Sequence, residues 1–340
     1  GIKNIAGASG FTLKRSKIYD VGRAVHTDWS GSKNFYIADN VMTGRHDPNK
    51  MMGWNGALWE KFPGYPELLT SEYAIKVCGQ GHVVAYNRLL NWHDGVDIAT
   101  YGVPDGAPND IADRVPLAID FYGNDIQNVG DNCFETDGGA RNIRVFRNRC
   151  FDSAAGALSV QPIFGGPVYF YQNLVYNTPT GSLKYIEGSS GVLTYNNTII
   201  GEGRAGPTSN QHFRNNLILA QGAFDPVFAV TTYTNYSSSD YNGFRPNPGK
   251  DDSFEWNSPP FGTATAYSTA PTQRRFKSLK EFAEATGQDQ HSVTVDYDTF
   301  VRVTKPDMTD PQRVYTPDGM DFNLRQGSPA VDAGIALPTI

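Results

Sequence analysis

An asparagine recurs along the chain at nearly constant spacing, and this restricts the fold more than any other feature of the sequence. Short apolar runs end in Asn40, Asn87, Asn124, Asn148, Asn173, Asn197 and Asn216, and a second short apolar run follows each, as in VFRNRCFD and YFYQNLVYN. Ser16 holds the same place one step earlier. Counted from Ser16, the intervals are 24, 47, 37, 24, 25, 24 and 19 residues, so the unit is about 24 residues and two early units carry insertions. A fixed period of this length marks a stacked architecture.

Within a unit the pattern reads as three short strands separated by Asn, Gly or Asp. Two-residue hairpin signals are missing at most junctions, which argues against consecutive antiparallel pairing. Stacking each unit on the next pairs every strand in parallel with its counterpart and turns the repeated Asn into a ladder. The 35 glycines and 21 prolines suit many short elements and turns. Over residues 1 to about 220 the sequence resembles the right-handed parallel β-helix family, the pectate-lyase-like solenoids. The resemblance implies an all-β solenoid and a carbohydrate-active protein, without naming the reaction.

From about 220 to 340 the period is expected to give way to an irregular extension of the same domain, packed on the solenoid. It holds one short helix, SLKEFAEATG, with Ser278 as N-cap, Glu281 three residues on and Gly287 as the stop. The segment DFNLRQGSPAVDAG (321 to 334) resembles the closing segment of bacterial secreted β-helix proteins. The three cysteines, Cys78, Cys133 and Cys150, are expected as buried thiols, with a Cys133–Cys150 disulfide as the alternative.

Equivalent positions of stacked turns become neighbours ~4.8 Å apart. Alternation in AVHTDW, AIKVCG, GVDIAT, CFETDG, ALSVQP and LKYIEG puts Val25, Ile75, Val96, Phe134, Leu158 and Leu183 inside. The next residues, His26, Lys76, Asp97, Glu135, Ser159 and Lys184, then form one outward column, and Asp28, Asp137 and Gln161 belong to a second column two residues on. Stacked carboxylates repel and need compensation by proton sharing, by Lys76 or by a cation, and such cost is characteristic of functional sites. The bland reading is a solvated ladder in which Lys76 pairs with Asp97.

Two insertions, 45–69 and 99–116, emerge beside this column. They bring Trp54, Trp59 and Tyr101, aromatic faces suited to sugar rings, although some of these rings are expected only to pack the loops down. His93 and Asp94 precede Asp97 in NWHDG, where Asp-Gly turn chemistry alone also explains them. Arg144 is expected near Asp137, as an ion-pair clamp or a subsite for an acidic sugar.

Paired carboxylates beside a cleft suit glycoside hydrolysis, with Glu135 as general acid, Asp97 or Asp137 as base or nucleophile, and Lys76 and His26 as supporting contacts. The alternative enzyme is a polysaccharide lyase or epimerase acting on a uronate-containing glycan, with Lys76 as base and Asp97, Glu135 and Asp137 holding calcium. Hydrolysis requires no cofactor. A non-catalytic glycan-binding surface solenoid is the third reading. A formal charge of −6 argues against nucleic acid as partner, and no apolar stretch of spanning length occurs. The expected partner is a polysaccharide or oligosaccharide, met in a secreted, periplasmic or cell-surface location.

Overall fold

In the computed structural model, the residues immediately before Ser16 and before the repeated asparagines take positive φ, from Arg15 at 52° through Gly123 at 65° to Tyr241 at 58°. The structure describes residues 1–4, 8–27, 31–46, 49, 51, 71–98, 116–260, 262–266 and 272–337. Each left-handed residue bends the chain sharply, so that the Asn that follows turns its amide inward. Asn148 shows the pattern. Its Nδ2 donates to Phe121 O at 2.9 Å and to Asn173 Oδ1 at 3.0 Å. Its Oδ1 accepts from the backbone N and the Nδ2 of Asn124 at 2.9 and 3.0 Å. The ladder runs without a break from Asn40 to Asn242 and ends on Asp289, which accepts from Asn242 Nδ2 at 2.9 Å.

The bends divide each turn among three parallel sheets, A, B and C, and the fold is an all-β parallel β-helix-like solenoid. Sheet A carries Arg23–Thr27, Tyr73–Val77, Asp94–Asp97, Asn132–Glu135, Gly156–Val160 and Leu183–Tyr185 in successive turns. The core between the sheets is a file of apolar rungs, with Val25, Ile75, Val96, Phe134, Leu158 and Leu183 from sheet A all buried, as alternation predicts. Among the described residues, no helix is long and apolar enough to cross a membrane.

The solenoid does not end near residue 220. Phe228–Thr232 and Phe254–Asn257 extend sheet A, and Gly243–Arg245 and Val293–Thr294 extend sheet C. The Ser- and Tyr-rich run before Asn242 hides a further turn, 26 residues after Asn216. The helix Leu279–Thr286 then closes this end. Ser278 Oγ accepts from Glu281 N at 3.2 Å, Gly287 stops the helix at φ 73°, and buried Phe282 stacks on Phe254 at 5.2 Å. The remaining chain straps across sheet C, where the outward column Phe151, Tyr176, Ile200 and Leu219 is apolar and is covered by Phe300, Tyr315 and Phe322.

Cys133 and Cys150 are joined in a disulfide, which corrects the expectation of three thiols; Cys78 is the free, buried one. The bond ties the strand bearing Glu135 to sheet C. Spacing alone could not reveal it, because only the coil brings these two Cα atoms to 6.0 Å.

Candidate functional site

The outward column of sheet A forms in the register that alternation implies. His26 pairs with Lys76, Lys76 with Asp97, Asp97 with Glu135, Glu135 with Ser159 and Ser159 with Lys184. The frame is the same on either side of both long insertions. Unlike the apolar column of sheet C, this one concentrates ionisable groups, and Lys76, Asp97 and Glu135 are 5, 0 and 6 % exposed.

Lys76 Nζ donates to Asp97 Oδ2 at 2.6 Å and lies 4.5 Å from the centre of the Tyr73 ring. Burial works against its ammonium, but the charge of Asp97, the Tyr73 hydroxyl and the hydrogen bond to Asp97 outweigh it and hold the pKa above the ordinary lysine value. Tyr73 also faces His26 in parallel, ring centres 6.3 Å apart, and Arg23 Nη1 stands 3.4 Å from His26 Nε2. The first half of the column is thus a cation held between a ring and a carboxylate.

The second half is built around a buried carboxyl. Asp137 is fully buried, and burial pushes its carboxyl up to about 7 against hydrogen bonds from Ser159 and Glu135. Ser159 Oγ donates to Asp137 Oδ1 at 2.7 Å. Lys184 closes this end with its Nζ 3.3 Å from Asp131 Oδ1.

Asp94 opens the same strand as Asp97 and is buried, its Oδ1 accepting from Asn132 N at 3.1 Å. Burial, then the charges of Glu135, Asp131 and Asp97, raise its pKa well above the carboxylate range. His93 Nε2 is 3.8 Å from Asp94 Oδ2. Among the described residues, the ligand atoms that gather as a metal-compatible group are those of His93, Asp94 and Asp131, within 4.8 Å of one another. The anticipated calcium set of Asp97, Glu135 and Asp137 does not gather in this way, since Asp97 faces Lys76 and Asp137 faces Ser159 and Glu135. One imidazole with two carboxylates fits a borderline transition ion better than calcium, which prefers all-oxygen shells.

Arg144 is not part of this site. It lies on sheet B and makes a two-pronged contact with Asp120, both bonds 2.6 Å, because the two share an outward column one rung apart. Gln161 donates to Glu187 Oε1 at 3.3 Å, beyond Asp137. Asp28, Trp54, Trp59 and Tyr101 lie outside the described residues, as do nearly all of both insertions. Trp92 belongs to the core: it is fully buried and its Nε1 donates to Met42 O at 3.2 Å.

Sequence reasoning missed Tyr73, Asp131 and Phe164. Tyr73 sits three residues before Lys76 on the same strand, an odd offset that alternation assigns to the opposite face. Asp131 precedes its strand, where no period applies. Phe164 is 64 % exposed in the turn after Gln161, with its backbone N bonded to Gly139 O at 3.0 Å; the signal was an aromatic beside Gly-Gly in a turn. No family model, curated protein or solved structure matches the chain.

Proposed function

We propose that this protein is a glycoside hydrolase acting on a polysaccharide or oligosaccharide at the outer face of sheet A. The observation that carries the reading is the pairing of two unlike carboxyl environments on adjacent rungs. Burial holds a proton on Asp137 up to about pH 7, two residues from Glu135, and Asp97 on the next rung meets the Lys76 ammonium. Environments that separate an acid from a base in this way are what glycoside cleavage uses. The Glu135–Asp137 pair donates a proton to the leaving oxygen. Asp97 is the base or nucleophile, and Lys76 orients it. Across the sheet, Asp97 to Asp137 is a diagonal of about 8 Å by rung and residue spacing, compatible with a water between sugar and base. Phe164 is exposed, and its turn is bonded to Gly139 O, two residues after Asp137. The disulfide suits a secreted, periplasmic or cell-surface address.

Elimination by Lys76 is the weaker reading. A base must be free to accept a proton, and an ammonium held above its ordinary pKa against Asp97 is not. The group of His93, Asp94 and Asp131 keeps a cation-assisted lyase in view, because an ion there could neutralise a uronate carboxyl. Assaying the protein on neutral and uronic glycans separates the two. Hydrolysis releases reducing ends with no unsaturated product. Absorbance of an unsaturated uronide, abolished by a chelator, would replace the hydrolase with the lyase, and binding without cleavage of any glycan would leave a lectin-like solenoid.

A further inference from the structure

The column that carries the carboxyl groups continues beyond Lys184. Tyr185 pairs with Ala205, which brings Arg204 next to Lys184, and Arg204, Ala229, Glu255 and Arg275 follow on successive partners. Here the face sinks into a cavity of about 450 Å³, lined by Lys184, Arg204, Phe224, Ala229, Glu255 and Arg275 among others. Ala229 leaves the floor open where its neighbours on the column are long and charged. Arg204 stands three rungs from Glu135, about 14 Å at the ~4.8 Å spacing of paired strands.

The charged groups of this cavity are paired, with one exception. Lys184 faces Asp131, and Asp225 takes Lys250 at 2.6 Å. Glu255 takes Arg275 at 3.1 Å and Asn257 Nδ2 at 2.6 Å, and Arg275 also meets Asp252 at 2.9 Å. Arg204 is exposed and has no hydrogen-bond or ion-pair partner among the described residues. Its guanidinium instead lies 4.8 Å from the centre of the Phe224 ring. Stacking fixes the plane of the fork and leaves its N–H edge free, the arrangement that receives a planar anion through two parallel bonds.

We infer that this cavity is an anion-selecting subsite and that the substrate is an anionic glycan, one of whose carboxylate or sulfate groups is gripped by Arg204. The inference rests on the hydrolase reading for the direction of the chain: a glycan lying along the column advances about one sugar per rung, so a unit three positions from the scissile bond reaches Arg204. Arg204 takes no part in bond cleavage. It is a specificity-determining residue.

The test uses the Glu135→Gln protein, in which binding is separated from turnover. Calorimetric titration with oligogalacturonates, with carrageenan oligosaccharides, which carry sulfate and no carboxylate, and with neutral cello-oligosaccharides of matched length gives the three affinities. The expected result is at least ten-fold tighter binding of one anionic series than of the neutral one. Adding Arg204→Ala removes that preference and leaves neutral binding and the thermal midpoint unchanged, while Arg204→Lys restores part of it. The series that is preferred identifies carboxylate or sulfate. Equal affinities for anionic and neutral chains, or an Arg204→Ala protein that keeps the preference, would overturn the inference. The two readings fail separately. Arg204-dependent binding with no cleavage by the unmutated protein removes the hydrolase alone, whereas cleavage of neutral glycans only, indifferent to Arg204, removes the subsite alone.

Discussion

Replacing Asn148 by Ala tests the ladder that makes the coil. Four hydrogen bonds disappear together: two that Asn148 Oδ1 accepts from Asn124 and two that its Nδ2 donates to Phe121 O and Asn173 Oδ1. Asn124 Nδ2 retains Val84 O at 2.9 Å, and Asn173 Oδ1 retains the backbone N of residue 148 at 3.2 Å. Asn124 N loses its acceptor, and Phe121 O, which stays in the ladder with the next strand, loses one of its donors. At ~1–3 kcal/mol for each of these two buried groups, the expected loss is about 2–6 kcal/mol. Ser16→Ala is the matched control at the open end of the ladder. The Ser16 side chain is half-buried and its hydrogen bond is to Lys14 O at 3.2 Å, so its loss falls within ~0.5 kcal/mol. Urea unfolding followed by circular dichroism reads both variants, with the slope checked for equality before midpoints are compared. Equal midpoints for the two variants would refute the claim that the inward amides hold the turns in register.

Three further outcomes follow from the same structure. Lys76→Met leaves Asp97 charged and buried without its ammonium and should cost ~3–5 kcal/mol in urea unfolding; a loss below ~1 kcal/mol would mean that the pair is solvated. Burial raises Asp152 to about 8, against donors from Asn177 Nδ2 and Tyr315 N at 2.8 Å each. A carboxyl raised in the folded state binds its proton more tightly there than in the unfolded chain, so its contribution is fully present below about pH 4 and is lost as pH rises towards 8. The thermal midpoint should therefore fall between pH 5 and 8, less steeply in Asp152→Asn, and parallel curves would contradict the assignment. Removing the disulfide with Cys150→Ala should cost ~2–4 kcal/mol, read as a shifted urea midpoint, and an unchanged midpoint in reducing and oxidising buffer would show that the bond does not form.

The period made the coil and its register legible because one buried amide per turn leaves no freedom to slip: a one-residue shift would carry Asp97 and Glu135 into the core and Val96 and Phe134 out. The same logic could not assign Arg144. Outward positions on sheets A and B look alike in sequence, and only the positions of the bends tell which residues share a face. Asn242 was obscured by polar residues in the turn before it. Asp131 and Arg204 answer to no alternation within the segments that marked the site. Asp131 lies before its strand, and Arg204 lies beyond the last segment with a recognisable column residue, so both become neighbours of the column only through the stacking of turns.

The most direct test of the hydrolytic centre compares the unmutated protein with Glu135→Gln, which keeps the size of the side chain and removes its exchangeable acid. On a glycan that the unmutated protein cleaves, the account predicts that reducing-end release falls by ~10²–10⁴-fold in Glu135→Gln while the thermal midpoint holds. Undiminished release by Glu135→Gln would contradict it.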